Sequence, residues 1–377
     1  MTLAFPYRRI LIIATRQIGD VLCTTPLMRR TREIWPNAVI DVLGYEKTMG
    51  MLVGNPDINA VIESPEHPRW PEYRKLIKRL FRQYDLAIVT QPSDRAHIYG
   101  LLAASKRIGV VPTSKSHNWW KKLLSLHTVE LDYWRQHVVI ERLALLGPFL
   151  EETSTGPSNF ISLIPPSRLP LPESIQTFLG SGSFVVFHAT PMWQFKRWPP
   201  HNWAELAQHF CQYGLRVVLS GSGSDQDRRL NAEIVGLLPP DEQFLMMDAS
   251  GLLNFNQLAE LLGRAALFVG VDTSVTHLAA AMGTATVGIF GATTPTNFGP
   301  WPQKAVFRGL EKPSVWQLKG RPSIDDCRTQ TIGNVTLVQG PGMCVPCRKA
   351  GCLDKFESHS DCLDRLSVAA VINACNP

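Results

Sequence analysis

The stretch RRILIIATRQIGDVLCTTPLM, residues 8–28, sets the fold class because it joins an apolar run directly to a helical pattern. Residues 10–14 are apolar without interruption, as expected for a strand that is buried on both faces of a parallel sheet. Gly19 and Asp20 follow, and apolar residues then return at helical spacing. The stretch predicts a strand, a short turn and a helix, with an acidic residue at the carboxyl edge of the sheet.

Strands and amphipathic helices alternate on both sides of a linker. Further strands are predicted at 39–44, 60–62, 86–90, 184–188, 215–219, 266–271 and 286–290, with helical patterns such as 73–82, 133–146 and 203–213 between them. Residues 151–175 are rich in Pro, Ser and Thr, which is typical of a linker. The expected fold is α/β, with two Rossmann-like domains facing each other across a cleft.

Length and composition agree with two domains. The chain has 377 residues, more than one ordinary core accommodates, and its 45% hydrophobic and 19% charged residues are typical of a globular protein. We expect domains at 1–165 and 166–345, and a Cys-rich tail with a C-terminal helix at 346–377 that packs back on the first domain. No apolar run is long enough to cross a bilayer and no secretory signal is recognisable, so a cytoplasmic protein is expected.

Basic residues are concentrated in two segments of the first half, although the net charge of the chain is only +6. The first segment includes Lys78 and Arg79, and the second includes Lys121 and Lys122 directly after two tryptophans. Nucleic acid, an anionic membrane surface, a phosphorylated substrate or a solvated helix face would each account for them. Tryptophans beside lysines favour a membrane interface, and no signature of a common nucleic-acid-binding module is present.

The stretch FVGVDTSVTHLAAAMG, residues 268–283, predicts an anion site at the start of a helix. A buried strand delivers Asp272, Thr273 and Ser274 to a helix whose first backbone N–H groups have no internal partners. His277 lies one turn beyond Thr273 on the same helix face, and Thr276 adds a further hydroxyl. This combination suits a diphosphate, but Asp, Thr and Ser are also favoured helix caps, and His277 also fits a packed core position.

The stretch HATPMWQFKRWPPHNW, residues 188–203, adds positive charge after another strand. It supplies Thr190, then Lys196 and Arg197, before two prolines that open a helix. A lysine beside a departing diphosphate neutralises the charge that develops as the bond breaks, whereas most lysines are simply exposed.

Two weaker patterns lie in the loop and helix start at 221–227. The G-x-G-x-x-G spacing fails because Gln226 stands in place of the third glycine. Asp225 and Asp227 form a D-x-D pattern like that of metal-dependent sugar transferases. Acidic residues are favoured in the first turn of a helix without any metal, so we discount this pattern.

Taken together and in this order, the segments resemble glycosyltransferase family nine, the bacterial lipopolysaccharide heptosyltransferases. The matching pieces are Gly19-Asp20 with residues 24–26, residues 196–199, residues 270–274 with 277–279, and residues 291–295 with 299–301. The tail at 338–366 resembles the heptosyltransferase III branch, which adds the side-branch heptose of the inner core.

The resemblance implies a GT-B fold and transfer of heptose from ADP-heptose to the lipopolysaccharide inner core, with inversion and without a metal. The N-terminal domain would bind the acceptor and the C-terminal domain the nucleotide sugar. Lys78, Arg79, Lys121 and Lys122 are candidates for contacts with the phosphorylated Kdo-lipid A acceptor or with the cytoplasmic face of the inner membrane. Nucleic acid is not an expected partner, and no cofactor is expected apart from the structural zinc considered below.

Individual roles also follow from the resemblance. Asp20 would be the general base for the acceptor hydroxyl, and its alternative role is to cap a helix. The groups that would hold the donor are Lys196 for the departing ADP, Thr190, Asp272, Thr273, Ser274 and His277 for the diphosphate and sugar, and Leu252 and Leu253 for the adenine. Ser274 replaces a frequent glycine and Thr294 a frequent aspartate, which affects donor contacts and not the fold.

Four of the eight cysteines, Cys344, Cys347, Cys352 and Cys362, have the spacing C-x2-C-x4-C-x9-C. The first pair suits zinc, and four thiolates close a structural site. The segment lacks the second C-x2-C of the usual zinc ribbon, and reduced, packed cysteines are the other interpretation. A disulfide framework is not expected in a cytoplasmic protein.

Three other functions are alternatives to the heptosyltransferase prediction. The chain could be a GT-B transferase for another nucleotide sugar, or a nucleotide-sugar-binding protein without activity. A nucleotide-sugar epimerase needs an acid–base set within the donor site, and no convincing set is present.

Overall fold

The computed structural model describes residues 7–113, 118–132, 135–149, 160–303, 305–306, 315–316 and 323–375. The chain divides into two compact units. Unit 1 comprises Met1–Pro166 and Val306–Ser314, and unit 2 comprises Ser167–Ala305 and Val315–Pro377. Among the described residues, none of the helices is both long enough and apolar enough to span a bilayer.

Unit 1 is a parallel sheet with helices in the connections between its strands. Its elements are β1 (Arg9–Ala14), α1 (Ile18–Leu22), α2 (Thr25–Ile34), β2 (Val39–Tyr45), α3 (Glu46–Met49), β3 (Ala60–Ser64), α4 (Trp70–Leu80), β4 (Tyr84–Val89), α5 (Asp94–Ala103), β5 (Ala104–Val111), α6 (Trp119–Leu123), β6 (His127–Glu130), α7 (Val138–Ala144) and β7 (Phe160–Ile161). The six-stranded sheet has the order β3-β2-β1-β4-β5-β6, which is the order of the Rossmann fold.

The sequence of β1 explains why it forms the centre of this sheet. Ile10, Leu11, Ile12 and Ile13 are fully buried, and β1 pairs in parallel with β2 on one side and β4 on the other. A strand covered by helices on both faces has no solvent-facing side, so it is apolar throughout.

Unit 2 repeats the plan. From residue 167 onward the elements are α8 (Glu173–Leu179), β8 (Phe184–His188), α9 (Pro200–Gln212), β9 (Arg216–Leu219), α10 (Asp225–Gly236), β10 (Met246–Asp248), α11 (Phe255–Arg264), β11 (Leu267–Val271), α12 (Ser274–Met282), β12 (Thr286–Phe290), α13 (Pro295–Phe298), β13 (Ala305–Val306), β14 (Arg328–Ile332), β15 (Val335–Gln339), α14 (Asp361–Asp364) and α15 (Val368–Cys375). The sheet order is β10-β9-β8-β11-β12-β15-β14, and its pairs are parallel except for β14 on β15.

The C-terminal helix corrects one expectation. We predicted that the tail packs back on the first domain, but α15 packs on α9, β12 and β15 of unit 2. Val368, Val371 and Ala374 recur at helical spacing and belong to the main core of this unit, which explains the placement. The Trp198 indole N–H also donates to the Leu366 carbonyl at 2.9 Å.

Several elements differ from the sequence prediction. Helix α7 begins at Val138 rather than near residue 133, and residues 133–134 lie outside the described residues. Residues 151–159 of the predicted linker also lie outside the described residues, and α8 begins at Glu173 within the remaining part of the linker. Strands β5, β6, β10, β14 and β15 and the two-residue strands β7 and β13 were not predicted. The edge strands β6, β10 and β14 have few fully buried positions, so their hydrophobic pattern is weak.

Candidate active site

The topology of each unit identifies where a ligand site is expected. In a doubly wound sheet, ligands bind beyond the carboxyl ends of the two strands at which the strand order reverses. These strands are β1 and β4 in unit 1, and β8 and β11 in unit 2. Asp20 follows β1, Thr190 follows β8, and Asp272 directly follows β11.

Asp20 is held by a buried arginine from a distant part of unit 1. Arg142 Nη2 donates to Asp20 Oδ1 at 2.8 Å, and Arg142 Nη1 also donates to the Asp20 carbonyl. The Arg142 side chain is only 2% exposed and that of Asp20 11%. The N-cap of α1 is Gln17, so Asp20 lies inside the first turn and does not occupy the capping position. The arrangement fixes the carboxylate and leaves Oδ2 facing the more exposed Arg16 at 3.8 Å.

Glu141 introduces a second buried carboxyl beside this ion pair. Burial raises the pKa of Glu141 to about 7, although the charge of Arg142 lowers it, and the negative charge of Asp20 raises it further. Its Oε2 atom has no hydrogen-bond partner among the described residues. Unit 1 therefore contains an acid that titrates near neutral pH next to the Asp20–Arg142 pair.

Lys196 and Asp272 form an ion pair at the corresponding edge of unit 2. Lys196 Nζ donates to Asp272 Oδ2 at 2.6 Å and to the Asp272 carbonyl at 3.3 Å. The ammonium group also lies 5.3 Å from the centroid of the Trp193 ring. Lys196 is therefore a partly buried, positioned cation rather than an ordinary exposed loop lysine.

Two hydroxyl groups near this pair have no partner among the described residues. They are Thr190 Oγ1, on a side chain that is 6% exposed, and Thr273 Oγ1. Thr273 is the N-cap of α12, yet its side chain makes no capping hydrogen bond. Buried hydroxyls normally find a partner, and the first N–H groups of α12 also lack helical ones. The edge of unit 2 thus presents hydroxyls, backbone N–H groups and an ammonium, a donor set that suits an anion.

Comparison with known proteins identifies the family. The model of glycosyltransferase family 9 (heptosyltransferase) matches residues 73–321. The chain belongs to this family. It is 30% identical to a lipopolysaccharide heptosyltransferase 3 of Escherichia coli, over 75% of this chain and 83% of that protein. The expected resemblance to family nine, including its heptosyltransferase III type, is confirmed.

Solved structures show the same fold for this family 9 glycosyltransferase. The Escherichia coli ADP-heptose lipopolysaccharide heptosyltransferase II superposes with a TM-score of 0.68 at 21% identity, covering 98% of this chain and 97% of that one. Escherichia coli heptosyltransferase WaaC with ADP gives 0.65 at 19% identity, covering 97% and 98%. The predicted GT-B fold with two Rossmann-like domains is confirmed.

The remaining donor-site candidates of this glycosyltransferase lie at the same edge of unit 2. Ser274 is the first residue of α12, and His277 is buried one turn later. Leu252 and Leu253 lie between β10 and α11, where Leu252 is 46% exposed and Leu253 is half-buried. The carboxylate of Asp227, in the D-x-D pattern that we discounted, accepts hydrogen bonds from the Ser222 backbone N–H and hydroxyl at 2.7 and 2.8 Å.

The acceptor candidates divide into two groups. Lys78 and Arg79 are exposed near the end of α4. Lys121 is buried and donates to Asp94, to the Pro92 carbonyl at 2.6 Å and to Asn118 at 2.9 Å. Lys122 pairs with Glu130. Lys121 is therefore not the accessible surface cation that its sequence position indicated, because its ammonium is buried and bonded to groups at the start of α5.

Sequence reasoning missed three residues of unit 1. Arg142 and Glu141 interrupt the apolar sequence of α7, and an Arg and a Glu in a buried helix were the available signal. Gln91 follows β4, is 3% exposed, and its Nε2 has no partner among the described residues. It therefore places an unsatisfied donor beside the end of β1, the strand that precedes Asp20.

Proposed function

We propose that this family 9 glycosyltransferase transfers heptose from ADP-heptose to a hydroxyl of the lipopolysaccharide inner core, with inversion at the anomeric carbon. The observation that carries the proposal is the candidate anion site of unit 2. There Lys196 forms an ion pair with Asp272, and the hydroxyls of Thr190 and Thr273 have no partner among the described residues. The matched relatives are heptosyltransferases, and one matched structure contains ADP. An adenosine diphosphate is the leaving group that such a site suits.

On the donor side, the chain itself supplies the positive charge. When the glycosidic bond to the diphosphate breaks, negative charge develops on the departing oxygen. The first N–H groups of α12 and the Lys196 ammonium are aimed at this edge and stabilise that charge without reorganising. Thr190 and Thr273 donate to phosphate oxygens and so gain the partners that they lack. In this scheme the transfer is metal-independent.

On the acceptor side, Asp20 acts as the general base. Its Oδ1 is occupied by Arg142, so Oδ2 accepts the proton as the acceptor oxygen attacks the anomeric carbon. ADP leaves from the opposite face of the sugar, and the configuration inverts. Arg142 acts as a positioning residue because it fixes the carboxylate plane. Gln91 Nε2 is suited to bind an acceptor oxygen near the same strand end.

We further propose that unit 1 makes peripheral contact with the cytoplasmic face of the inner membrane or with the phosphates of the acceptor. Trp119 and Leu123 of α6 are 63% and 72% exposed, and an aromatic and an aliphatic side chain of this kind suit a lipid interface. Lys78 and Arg79 supply exposed positive charge for phosphates.

The test separates binding from turnover. Calorimetric titration of the full chain with ADP and UDP is expected to show a preference for ADP. Lys196→Ala should weaken ADP binding by about 10- to 100-fold, the loss expected for one charge-assisted hydrogen bond. Lys106→Ala is the control, because Lys106 is an exposed residue of β5 outside the proposed site. Equal binding of UDP, or ADP affinity unchanged by Lys196→Ala, would contradict the proposal.

Turnover is then measured with ADP-heptose and a heptose-bearing acceptor. Asp20→Asn should lower turnover by about 10²- to 10⁴-fold while ADP affinity stays within about twofold, since a general base acts only in the reaction step. Asp241→Asn, at an exposed residue of unit 2, is the matched control. An Asp20→Asn variant with near-normal turnover would remove Asp20 from the role of base.

A further inference from the structure

The four cysteines of the C-x2-C-x4-C-x9-C pattern meet at one cavity of unit 2. This cavity has a volume of about 260 Å³, and Cys344, Cys347, Cys352 and Cys362 all line it. None of these residues has a role in the proposed transfer reaction.

Backbone hydrogen bonds and a sharp turn hold Cys352 in place at the edge of the cavity. The Asp361 backbone N–H donates to Cys352 Sγ at 3.4 Å, and Cys352 N–H donates to the His359 carbonyl at 2.9 Å. Gly351 has a φ of 75°, a left-handed conformation that lets the chain turn sharply beside Cys352. Hydrogen bonds from backbone N–H groups to sulfur stabilise a thiolate ligand and orient it.

We propose that Cys344, Cys347, Cys352 and Cys362 bind one zinc ion through four thiolates. A C-x2-C pair supplies two adjacent corners of a tetrahedron, and two more cysteines close it. Zinc–sulfur bonds of about 2.3 Å require sulfur atoms about 3.8 Å apart. Among the described residues no three of these four sulfur atoms lie within 4.8 Å of one another, so zinc binding has to draw the lining of the cavity inward. Arg365 also lines the cavity and offsets part of the excess negative charge of a tetrathiolate site.

A second ligand set competes with this one. Cys352 Sγ, a nitrogen of His359 and a carboxylate oxygen of Asp361 lie within 4.8 Å of one another. His359 Nε2 and Asp361 Oδ1 are only 2.9 Å apart, so these two groups already satisfy each other as an exposed pair. We assign the zinc to the four cysteines because they supply a closed set of soft ligands, whereas the other set shares only Cys352 with it.

Residues 356–360, which lie between Cys352 and Cys362, contact the turn that carries Lys196 at two points. Ser360 Oγ donates to the Phe195 carbonyl at 2.7 Å, directly before Lys196. The Phe356 ring stacks on Trp193 with centroids 5.3 Å apart. Zinc therefore acts as a structural ion that keeps the Lys196 turn in place, and this second step, unlike zinc binding, rests on the proposed donor site.

Metal content of the full chain tests zinc binding without reference to activity. Protein purified under reducing conditions is expected to contain about one zinc per chain by mass spectrometry. Cys347→Ser should abolish it, while Cys327→Ser, a cysteine of unit 2 outside the cavity lining, should retain it. His359→Ala should also retain it. Zinc kept in Cys347→Ser but lost in His359→Ala would overturn the four-cysteine ligand set.

Cobalt provides a readout that does not depend on the stability of a variant. Chelated, reduced wild-type protein titrated with Co²⁺ should develop the absorption bands of tetrahedral cobalt bound to thiolates, with an endpoint at one ion per chain. Zinc should then displace the cobalt. Protein that is isolated without zinc and binds neither ion under reduction would overturn the proposal.

The positioning step has its own measurement. Removing zinc should weaken ADP binding about 2- to 30-fold, and adding zinc back should restore it. If the chain binds zinc and also shows Lys196-dependent ADP binding, but chelation leaves ADP affinity unchanged, the positioning step is wrong and the zinc site stands. If ADP does not bind in either state, the proposed function fails, and the metal content still decides the zinc site.

Discussion

Glu141 gives the stability of unit 1 a pH dependence that one substitution should remove. Its folded pKa of about 7 lies above the ordinary value of about 4.3 that the group has in an unfolded chain. Between these two values the folded state binds more protons than the unfolded state, so stability falls as pH rises and the full loss is reached above pH 7. The difference corresponds to about 3–4 kcal/mol for this buried side chain.

Glu141→Gln keeps the shape and neutrality of the protonated acid and cannot ionise. We expect wild type and variant to have similar stability near pH 4, and the variant to be more stable by about 3 kcal/mol at pH 8. Urea unfolding at several pH values measures the difference, followed through the transition of unit 1 because the two units need not unfold together. Glu46→Gln, at an exposed position of α3, is the control and should leave the curve unchanged.

The difference in unfolding free energy between wild type and Glu141→Gln separates the titration of Glu141 from that of the other groups. Burial lowers the pKa of His97, and it lowers that of His188 to about 4. These imidazoles act in the opposite direction, since stability is lost as pH falls and the unfolded state takes up the proton. Both proteins contain them, so they cancel in the difference. If the difference in unfolding free energy between variant and wild type changes by less than 1 kcal/mol between pH 5 and pH 8, the reasoning is refuted.

Two further predictions concern single contacts. Arg142→Met should lower the free energy of unfolding by about 3–5 kcal/mol, because it leaves the mostly buried Asp20 carboxylate without its partner. A double-mutant cycle with Asp20→Asn, measured by denaturant unfolding, should give a coupling energy of about 1–3 kcal/mol. A coupling below about 0.5 kcal/mol would show that the pair contributes nothing. Gly283→Ala should lower thermal stability by about 1–2 kcal/mol, since φ is 81° and a Cβ would lie 2.6 Å from Gln303 Oε1. Gly236→Ala, which meets no atom within 4 Å, is its matched control and should change stability little.

Local patterns were sufficient to predict the α/β fold and the polar residues that follow its central strands. Residues 10–14 and 268–271 are apolar because both faces of their strands are buried, so burial and strand position can be read from the sequence alone. The polar residues that follow such strands lie at the carboxyl edge by geometry. That is why Asp272 and Thr273 were placed at the correct edge before their contacts were known.

Long-range pairing could not be predicted in this way. Arg142 reaches Asp20 across 122 residues, and no spacing rule connects them. Lys121 stands in an exposed-looking basic segment but is buried against Asp94, which depends on how α6 lies beside α5. The tail was assigned to the wrong unit because an amphipathic helix shows which face it buries and not against which core.

The two charged side chains to which we assign the transfer chemistry, Lys196 and Asp20, are each held by an opposite charge from a distant part of the same unit. Lys196 lies on Asp272, and Asp20 lies on Arg142, so neither charge has to be ordered when substrates arrive. Side chains fixed in advance reduce the entropy lost on binding. In the proposed reaction, the diphosphate of bound ADP-heptose competes with Asp272 for the Lys196 ammonium, which limits the affinity for the substrate. The ammonium contributes most when charge develops on the departing oxygen, so this arrangement favours stabilisation of the leaving group over tight binding of the substrate.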